Sequence, residues 1–408
     1  MNECTTITVN SPAKINLTFE ILGLLPDGYH DVRTVMQSVS LLDELTFDIA
    51  SAREPSLNIK LHKNSGAAFK AGGEPDEFPT GDGNLIAKAL RLFLSSIDRP
   101  RALKVDVTVT KNVPIGAGLA GGSGNAAAAL LAFNQYFGGP LDAPALSALA
   151  SKLGSDVPFC LKGGRQLGLG RGDMLESIEN ESEQEYAHRS SLGADRKSDQ
   201  TSDRQSQHAP DNQSDHATDH ATDQAADQET NLESGQKGEA EIEQDLHFVL
   251  AKTRHLSVAT PWAYQSWDQK VEVGEVMSLC EKVQDRGIDA LPCDYAIANL
   301  QSGNLKEALR AFGNDFEQVV FPHYKQLKEI KTRFVASGAL ACHMTGSGPT
   351  IYAVAESAEH ANDLIKEFRA REATDHSMVV CAAKFDQVDL YPVHSLKSGA
   401  RVIHVQKS

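Results

Sequence analysis

Between Lys111 and Asn125 the chain reads K-N-V-P-I-G-A-G-L-A-G-G-S-G-N, with five glycines in the nine residues from Gly116 to Gly124. The flanks differ sharply. Leu103, Val105, Val107 and Val109 alternate with polar residues, the period-two pattern of a half-buried strand. Asn125 to Phe137 has the Ala and Leu density of a buried helix. A glycine turn between strand and helix lets the backbone approach an anion and point its N–H groups inward. Ser123 is placed to cap the helix, whose first-turn amides and dipole favour phosphate. Gly116, Gly118 and Gly121 also fit the dinucleotide fingerprint, which needs a second strand ending in Asp or Glu about 20 residues on. Gly138-Gly139-Pro140 and another helical stretch stand there instead, and the G-K-[ST] of a Walker loop is absent. A tight packing turn accounts for two or three glycines but poorly for five. The segment reads as a phosphate cradle.

The rest of the chain mixes strands and helices, which predicts an α+β protein. Ile7 to Val9, Ile15 to Ile21, His247 to Ala251 and Thr350 to Ala355 read as strands. Ala143 to Lys152, Val273 to Asp285, Leu305 to Phe312, Tyr324 to Ser337 and Ala358 to Arg369 read as helices. No pattern is visible after Phe385.

One stretch stands apart. From Glu179 to Asp245 there are 18 acidic and 5 basic side chains and few large apolar ones, so disorder is expected. This stretch supplies most of the formal charge of −16. His216 and His220 have helical metal spacing, but a slipped tetrapeptide repeat explains them more simply. About 340 residues near neutrality remain, enough for two modest domains. The acidic balance argues against nucleic acid or an anionic membrane as partner. No apolar run reaches the ~18–20 residues of a span. The N-terminus has no signal-like core, and Cys4, Cys160, Cys280, Cys293, Cys342 and Cys381 follow no zinc or redox spacing. Reduced thiols and a cytoplasmic location are expected.

P-I-G-A-G-L-A-G-G-S-G-N-A-A-A resembles the ATP loop of the GHMP kinases. S-P-A-K-I-N-L from Ser11, D-G-Y-H from Asp27, D-G-N-L-I from Asp82, L-G-S-D-V-P-F from Leu153, N-D-F-E from Asn314 and T-G-S-G-P-T from Thr345 follow in order. Together they are similar to the branch of that family that phosphorylates a CDP-linked methylerythritol. The resemblance covers roughly 1–178 and 246–385. It implies an N-terminal domain (1–178) with a left-handed β-α-β crossover and a ferredoxin-like C-terminal domain (246–385). The acidic insert (179–245) and a tail (386–408) have no counterpart. Other GHMP kinases, of mevalonate or homoserine type, stay open as alternatives, as does a non-catalytic nucleotide-binding relative.

What the resemblance implies for single residues follows from these blocks. Asp156, locally a turn or cap residue, matches the catalytic carboxylate. Lys14, locally a strand-edge cation, matches the lysine beside it. ATP falls to Pro114, Ile115, Gly116, Ala117, Gly118, Leu119, Ala120, Gly121, Gly122, Ser123 and Gly124. Asn84 and Lys111 match positions around adenine and the ATP tail, although Lys111 is also a plausible exposed strand end. Tyr29 and His30, otherwise ordinary hairpin-loop residues, match the cytosine pair. Asn16 matches a residue near the sugar-alcohol hydroxyls, and Thr260 and Pro261 match a substrate-lining pair. Gly172 lies in a turn under the cytidine, and Arg171 there is placed to meet the diphosphate. Thr345 to Pro349 matches a second glycine turn that closes on the phosphates. ATP with magnesium is the implied co-substrate, with no protein-held metal. A monomer or weak dimer is expected.

Overall fold

The first two strands of the computed structural model, β1 (Cys4–Leu24) and β2 (His30–Ser51), form one long antiparallel hairpin. The structure describes residues 4–62, 78–97, 102–178, 245–254, 256–374 and 387–407. The acidic stretch 179–244, with His216 and His220, lies outside them, as does Cys381. The two short strands expected at Ile7 and Ile15 are parts of β1. Its register with β2 shifts at Pro12/Ala13, Asn16/Thr18 and Ile21/Gly23. From Ser11 to Ile21 every residue is buried, so the polar Asn16, Thr18 and Glu20 that alternate with Ile15, Leu17, Phe19 and Ile21 face the interior rather than solvent.

β3 (Ser56–Leu61) and β4 (Leu103–Thr110) are parallel neighbours, and α1 (Leu85–Ser95) lies on the crossover between them. α2 (Gly121–Tyr136) follows the glycine loop. Ala126 to Leu130, Ala132 and Phe133 are all buried, as a helix apolar around its circumference requires. α3 (Ala143–Leu153) starts where the Asp142 carboxylate accepts the Ala145 N–H at 2.9 Å, a side-chain cap. α4 (Val157–Lys162) opens directly after Asp156. β5 (Arg165–Leu169) pairs with β2 and with β6 (Met174–Ser177). Phe47, Phe93, Phe133 and Phe159 fill the core beneath these elements.

The second half begins with β7 (His247–Thr253) and α5 (Thr260–Glu272). α6 (Leu279–Asp285), α7 (Pro292–Gln301) and α8 (Leu305–Ala308) lead to the short β8 (Gly313–Asn314). Then come α9 (Glu317–His323), α10 (Lys325–Ala336), β9 (Ala341–Met344), β10 (Ile351–Ala355) and α11 (Ala358–Thr374). β11 (Val388–Leu396) and β12 (Arg401–Lys407) close the chain's structure. Phe316, Phe334 and Phe368 anchor the core here.

Three expectations change. The helix read from Val273 begins only at Leu279, because the chain turns at Gly274 and restarts in a Ser278/Glu281 capping box. The helix read over Leu305 to Phe312 is one α-turn followed by a 3₁₀ turn. The tail is two strands. β11 pairs with β7 along its length and, at its end, with β2; β12 pairs with β1. The sheet therefore runs β12-β1-β2-β11-β7-β10-β9, and the architecture is α+β. Among the described residues no helix is long and apolar enough to cross a membrane.

Candidate active site

A cleft of about 320 Å³ opens between the glycine loop, the β1–β2 hairpin, the turn after β5 and the start of α5. Lys14 and Asn16 project from β1, whose bulges re-aim its side chains there. The Lys14 ammonium donates to Asn16 Oδ1 at 2.8 Å and stands 3.6 Å from Asp156 Oδ1. Lys14 is buried, whereas the Asp156 side chain is 37% exposed and faces the cleft. Asp156 makes no side-chain cap to α4, so its carboxylate is not committed to holding that helix. Asn16 also donates to the Thr34 hydroxyl at 2.8 Å, which fixes its amide.

The glycine loop forms one wall. Pro114, Gly116 to Ala120 and Gly121 line the cleft, while Ile115 packs toward the core. α2 is not capped by Ser123. Ala120, in the left-handed region at φ 57°, is the N-cap and makes no side-chain hydrogen bond, and Ser123 lies inside the first turn. Gly122 is exposed on that turn, and Gly124 backs onto Ser11. Lys111 points inward: it is 2% exposed and pairs with the buried Asp43. Asp43 also accepts the Asn112 and Val113 N–H groups at 2.8 Å each, so this pair forms a floor under the loop. Asn84 caps α1 by accepting the Ile86 N–H at 2.8 Å. Neither Lys111 nor Asn84 lines the cleft.

The second glycine turn, Thr345 to Pro349, lies against the first. Thr350 Oγ1 donates to Ala117 O at 2.7 Å, and Thr345 Oγ1 accepts the Asn16 N–H at 2.9 Å. Asn314 holds this turn from behind, its amide donating to Met344 O at 2.8 Å and Gly346 O at 2.7 Å. Glu317 accepts the Met344 N–H at 2.8 Å and pairs with Lys331 at 2.6 Å. Burial pushes the Glu317 carboxyl up, but His343 and Lys331 outweigh it and bring it down to about 2. Burial lowers His343 itself, so Lys331 is the lasting cation of this pair. A depressed carboxyl stabilises the fold above its unfolded value near 4.5, and that gain is lost as pH falls toward 2. Glu317→Gln is therefore expected to lower stability by about 2 kcal/mol at pH 7, with the gap from the parent closing below pH 4.5. Urea denaturation of both proteins at several pH values reads this directly; a gap that does not change with pH would exclude it.

The far end of the cleft is aromatic. His30 stacks on Tyr264 with centroids 4.2 Å apart, and His30 Nε2 lies 2.8 Å from Asp268 Oδ1. Tyr264 meets Phe316 edge-on at 4.8 Å. Tyr29 is 58% exposed on the hairpin turn, with the Arg171 guanidinium 4.9 Å from its ring centre. Arg171, Gly172 and Thr260 line the cleft, and Thr260 Oγ1 lies 2.8 Å from Ser347 Oγ. Pro261 is exposed at the first turn of α5. Phe316 belongs to the N-D-F-E block, whereas Tyr264 and Asp268 belong to none of the motifs. The signal was there: Thr260, Tyr264 and Asp268 recur every four residues, one face of a helix.

The glycine loop, a paired ammonium and carboxylate, and the rings of Phe19, Tyr264 and Phe316 line one cleft, whereas Tyr29 and His30 stand beside its lining. The chain is also similar to known proteins. The model of the GHMP kinases N terminal domain matches residues 84–164, and that of the GHMP kinases C terminal domain matches 296–373. A 4-diphosphocytidyl-2-C-methyl-D-erythritol kinase of Thermosynechococcus vestitus is 32% identical over 376 residues, 91% of this chain and 94% of that protein. The crystal structure of a 4-(cytidine 5'-diphospho)-2C-methyl-D-erythritol kinase aligns with TM-score 0.57 at 21% identity, covering 95% of this chain and 99% of that one. The homoserine kinase of Cytophaga hutchinsonii aligns with TM-score 0.58 at 17% identity, covering 98% and 97%. The two solved structures share the fold alone, whereas the relative from Thermosynechococcus is matched in sequence along nearly its whole length. On that match the chain belongs to the 4-diphosphocytidyl-2-C-methyl-D-erythritol kinase family within the GHMP kinases, phosphotransferases that take an alcohol group as acceptor.

Proposed function

We propose that this chain transfers the γ-phosphoryl group of ATP to the 2-hydroxyl of 4-(CDP)-2-C-methyl-D-erythritol, a step of the non-mevalonate route to isoprenoid precursors. The observation that carries the reading is the Lys14–Asp156 pair, 3.6 Å apart in the cleft that the glycine loop walls. A tertiary hydroxyl is a poor nucleophile at neutral pH, so the reaction needs alignment, charge neutralisation and a proton acceptor. Asp156 takes the proton as the hydroxyl oxygen bonds to the γ-phosphorus. The bond from that phosphorus to the β,γ-bridging oxygen breaks, and ADP leaves with the electron pair. Lys14, 3.6 Å from the Asp156 carboxylate, offsets charge on the phosphoryl group in flight. ATP enters as its magnesium complex, a co-substrate. Its phosphates lie along Gly116 to Gly124, where Ser123 in the first turn of α2 adds a hydroxyl to the amides.

The acceptor occupies the opposite end. Asn16 meets the sugar-alcohol hydroxyls, Arg171 the diphosphate, and Tyr29 and His30 the cytosine, with Gly172, Thr260 and Pro261 around it. Tyr264 stacks on His30 and lines the cleft beside it. Stacking is blind to base identity, so the preference for cytosine comes from hydrogen bonds at the base edge. Asn84 and Lys111 support ATP through the α1 cap and the loop floor. The fold is common to homoserine and mevalonate kinases, so the aromatic end is what selects this substrate. ADP release from purified protein offered CDP-methylerythritol, mevalonate, homoserine or galactose tests the reading. Turnover is expected with the first alone, and transfer to any of the others at a comparable rate would replace it.

A further inference from the structure

The C-terminal strand pair reaches the helix that carries the candidate base. β11 hydrogen-bonds along β7 and then crosses to β2, where Ser395 and Leu396 pair with Val39 and Ser38. Gln37 ties this crossing down: its amide donates to Leu396 O at 3.0 Å and to Gly164 O at 3.3 Å. The chain then turns through Ser398-Gly399-Ala400 directly against the end of α4. The Ala400 N–H donates to Cys160 O at 2.7 Å and the Gly399 N–H to Lys162 O at 3.1 Å. These are two of the carbonyls a helix end leaves without an internal partner. α4 is only six residues long and begins directly after Asp156. So short a helix has little stability of its own and takes its position from what holds it.

The fit admits no side chain at Gly399. A Cβ there would lie 2.8 Å from Gly163 N and Leu161 O, and closer still to Cys160 O, all of them backbone atoms. Gly163, at φ +66°, meets the same turn from the other side, and Ala400 is buried in the N-terminal core. The end of α4 and the strap are packed backbone against backbone.

We propose that Gly399 is a positioning residue: the β11–β12 strap caps α4 and thereby sets Asp156 against Lys14. This rests on the reading of Asp156 as base, and a displacement of its carboxylate by about 1 Å is enough to cost roughly a hundredfold in rate. The test is Gly399→Ala in the full chain, with turnover counted per folded molecule and amide hydrogen exchange followed by mass spectrometry. The expected result is a fall in kcat of roughly ten- to a hundredfold, with KM for ATP within about twofold of the parent. Exchange is expected to quicken in peptides spanning 154–164 and not in those spanning 121–136. If Gly399→Ala does not fold, Gln37→Met, which removes the donors to Leu396 O and Gly164 O, carries the same expectations. Parental kcat per folded molecule would overturn the proposal, as would unchanged exchange at 154–164. The exchange readout does not depend on which group is the base. A failure of Asp156 as base shows separately, as turnover retained in Asp156→Asn.

Discussion

Asp156→Asn is expected to fold like the parent and to lose about 10²–10⁴-fold in kcat. Asparagine keeps the size and polarity of the side chain and removes its basicity. Little in the fold depends on the lost charge: the side chain is 37% exposed and caps no helix. Lys14 keeps its hydrogen bond to Asn16 at 2.8 Å, so the ammonium stays in place. What disappears is the proton acceptor and the counter-charge 3.6 Å from Lys14. Because the loss falls on the transition state, KM for ATP should change little. Stopped assays of ADP formation beside a thermal melt separate the two quantities. Near-parental turnover in a folded variant would remove Asp156 from the chemistry and send the search to another acceptor in the cleft.

Gly118→Ala is expected to damage both folding and ATP binding. Gly118 sits at φ +73°, a conformation that costs an L-residue roughly 1–2 kcal/mol. A Cβ there would lie 2.6 Å from Gly348 O, 3.2 Å from its carbonyl carbon and 3.3 Å from Thr345 O. All three are backbone atoms of the second glycine turn, which cannot step aside as a flexible side chain would. The two turns must part, and the hydrogen bond from Thr350 to Ala117 breaks first. Together these effects destabilise by about 3 kcal/mol, with KM for ATP rising by an order of magnitude or more. Gly122→Ala is the comparison. Its nearest neighbour would be Leu85 Cδ1 at 3.8 Å, its φ is not left-handed, and its stability should equal or exceed the parent's. Equal melting temperatures for Gly118→Ala and the parent would contradict this picture of the two turns in contact.

How much of this was legible beforehand varies from element to element. The alternation at Leu103 to Val109 and the apolar density after Asn125 mark β4 and α2 because each is set by a local period. β2 keeps a strand's alternation only at Leu45, Phe47 and Ile49, its first half being buried on both faces, and the S-P-A-K segment with its register shift divides β1 into two readable pieces. β12 is held by backbone pairing to β1, and its Val402, Ile403 and Val405, the last two exposed, follow no period that marks a buried face. The cap of α2 differs from its sequence reading for a related reason. Ser123 has the chemistry of a cap, but Ala120 takes the left-handed conformation and the helix starts before the serine is reached.

The sequence alone determined that a glycine-rich turn joins strand to helix, and the ordered motifs around it determined the family. Such features depend on neighbours along the chain, whose sterics and hydrogen bonding act wherever the segment ends up. Tertiary structure decided which distant groups meet. It turned Lys111 onto Asp43 and away from the cleft, set Tyr264 against His30, brought Lys14 of β1 to the start of α4, and folded the tail back onto that helix. Each of these pairings joins residues far apart in the chain. Sheet register and core packing close those separations, and no local preference records them.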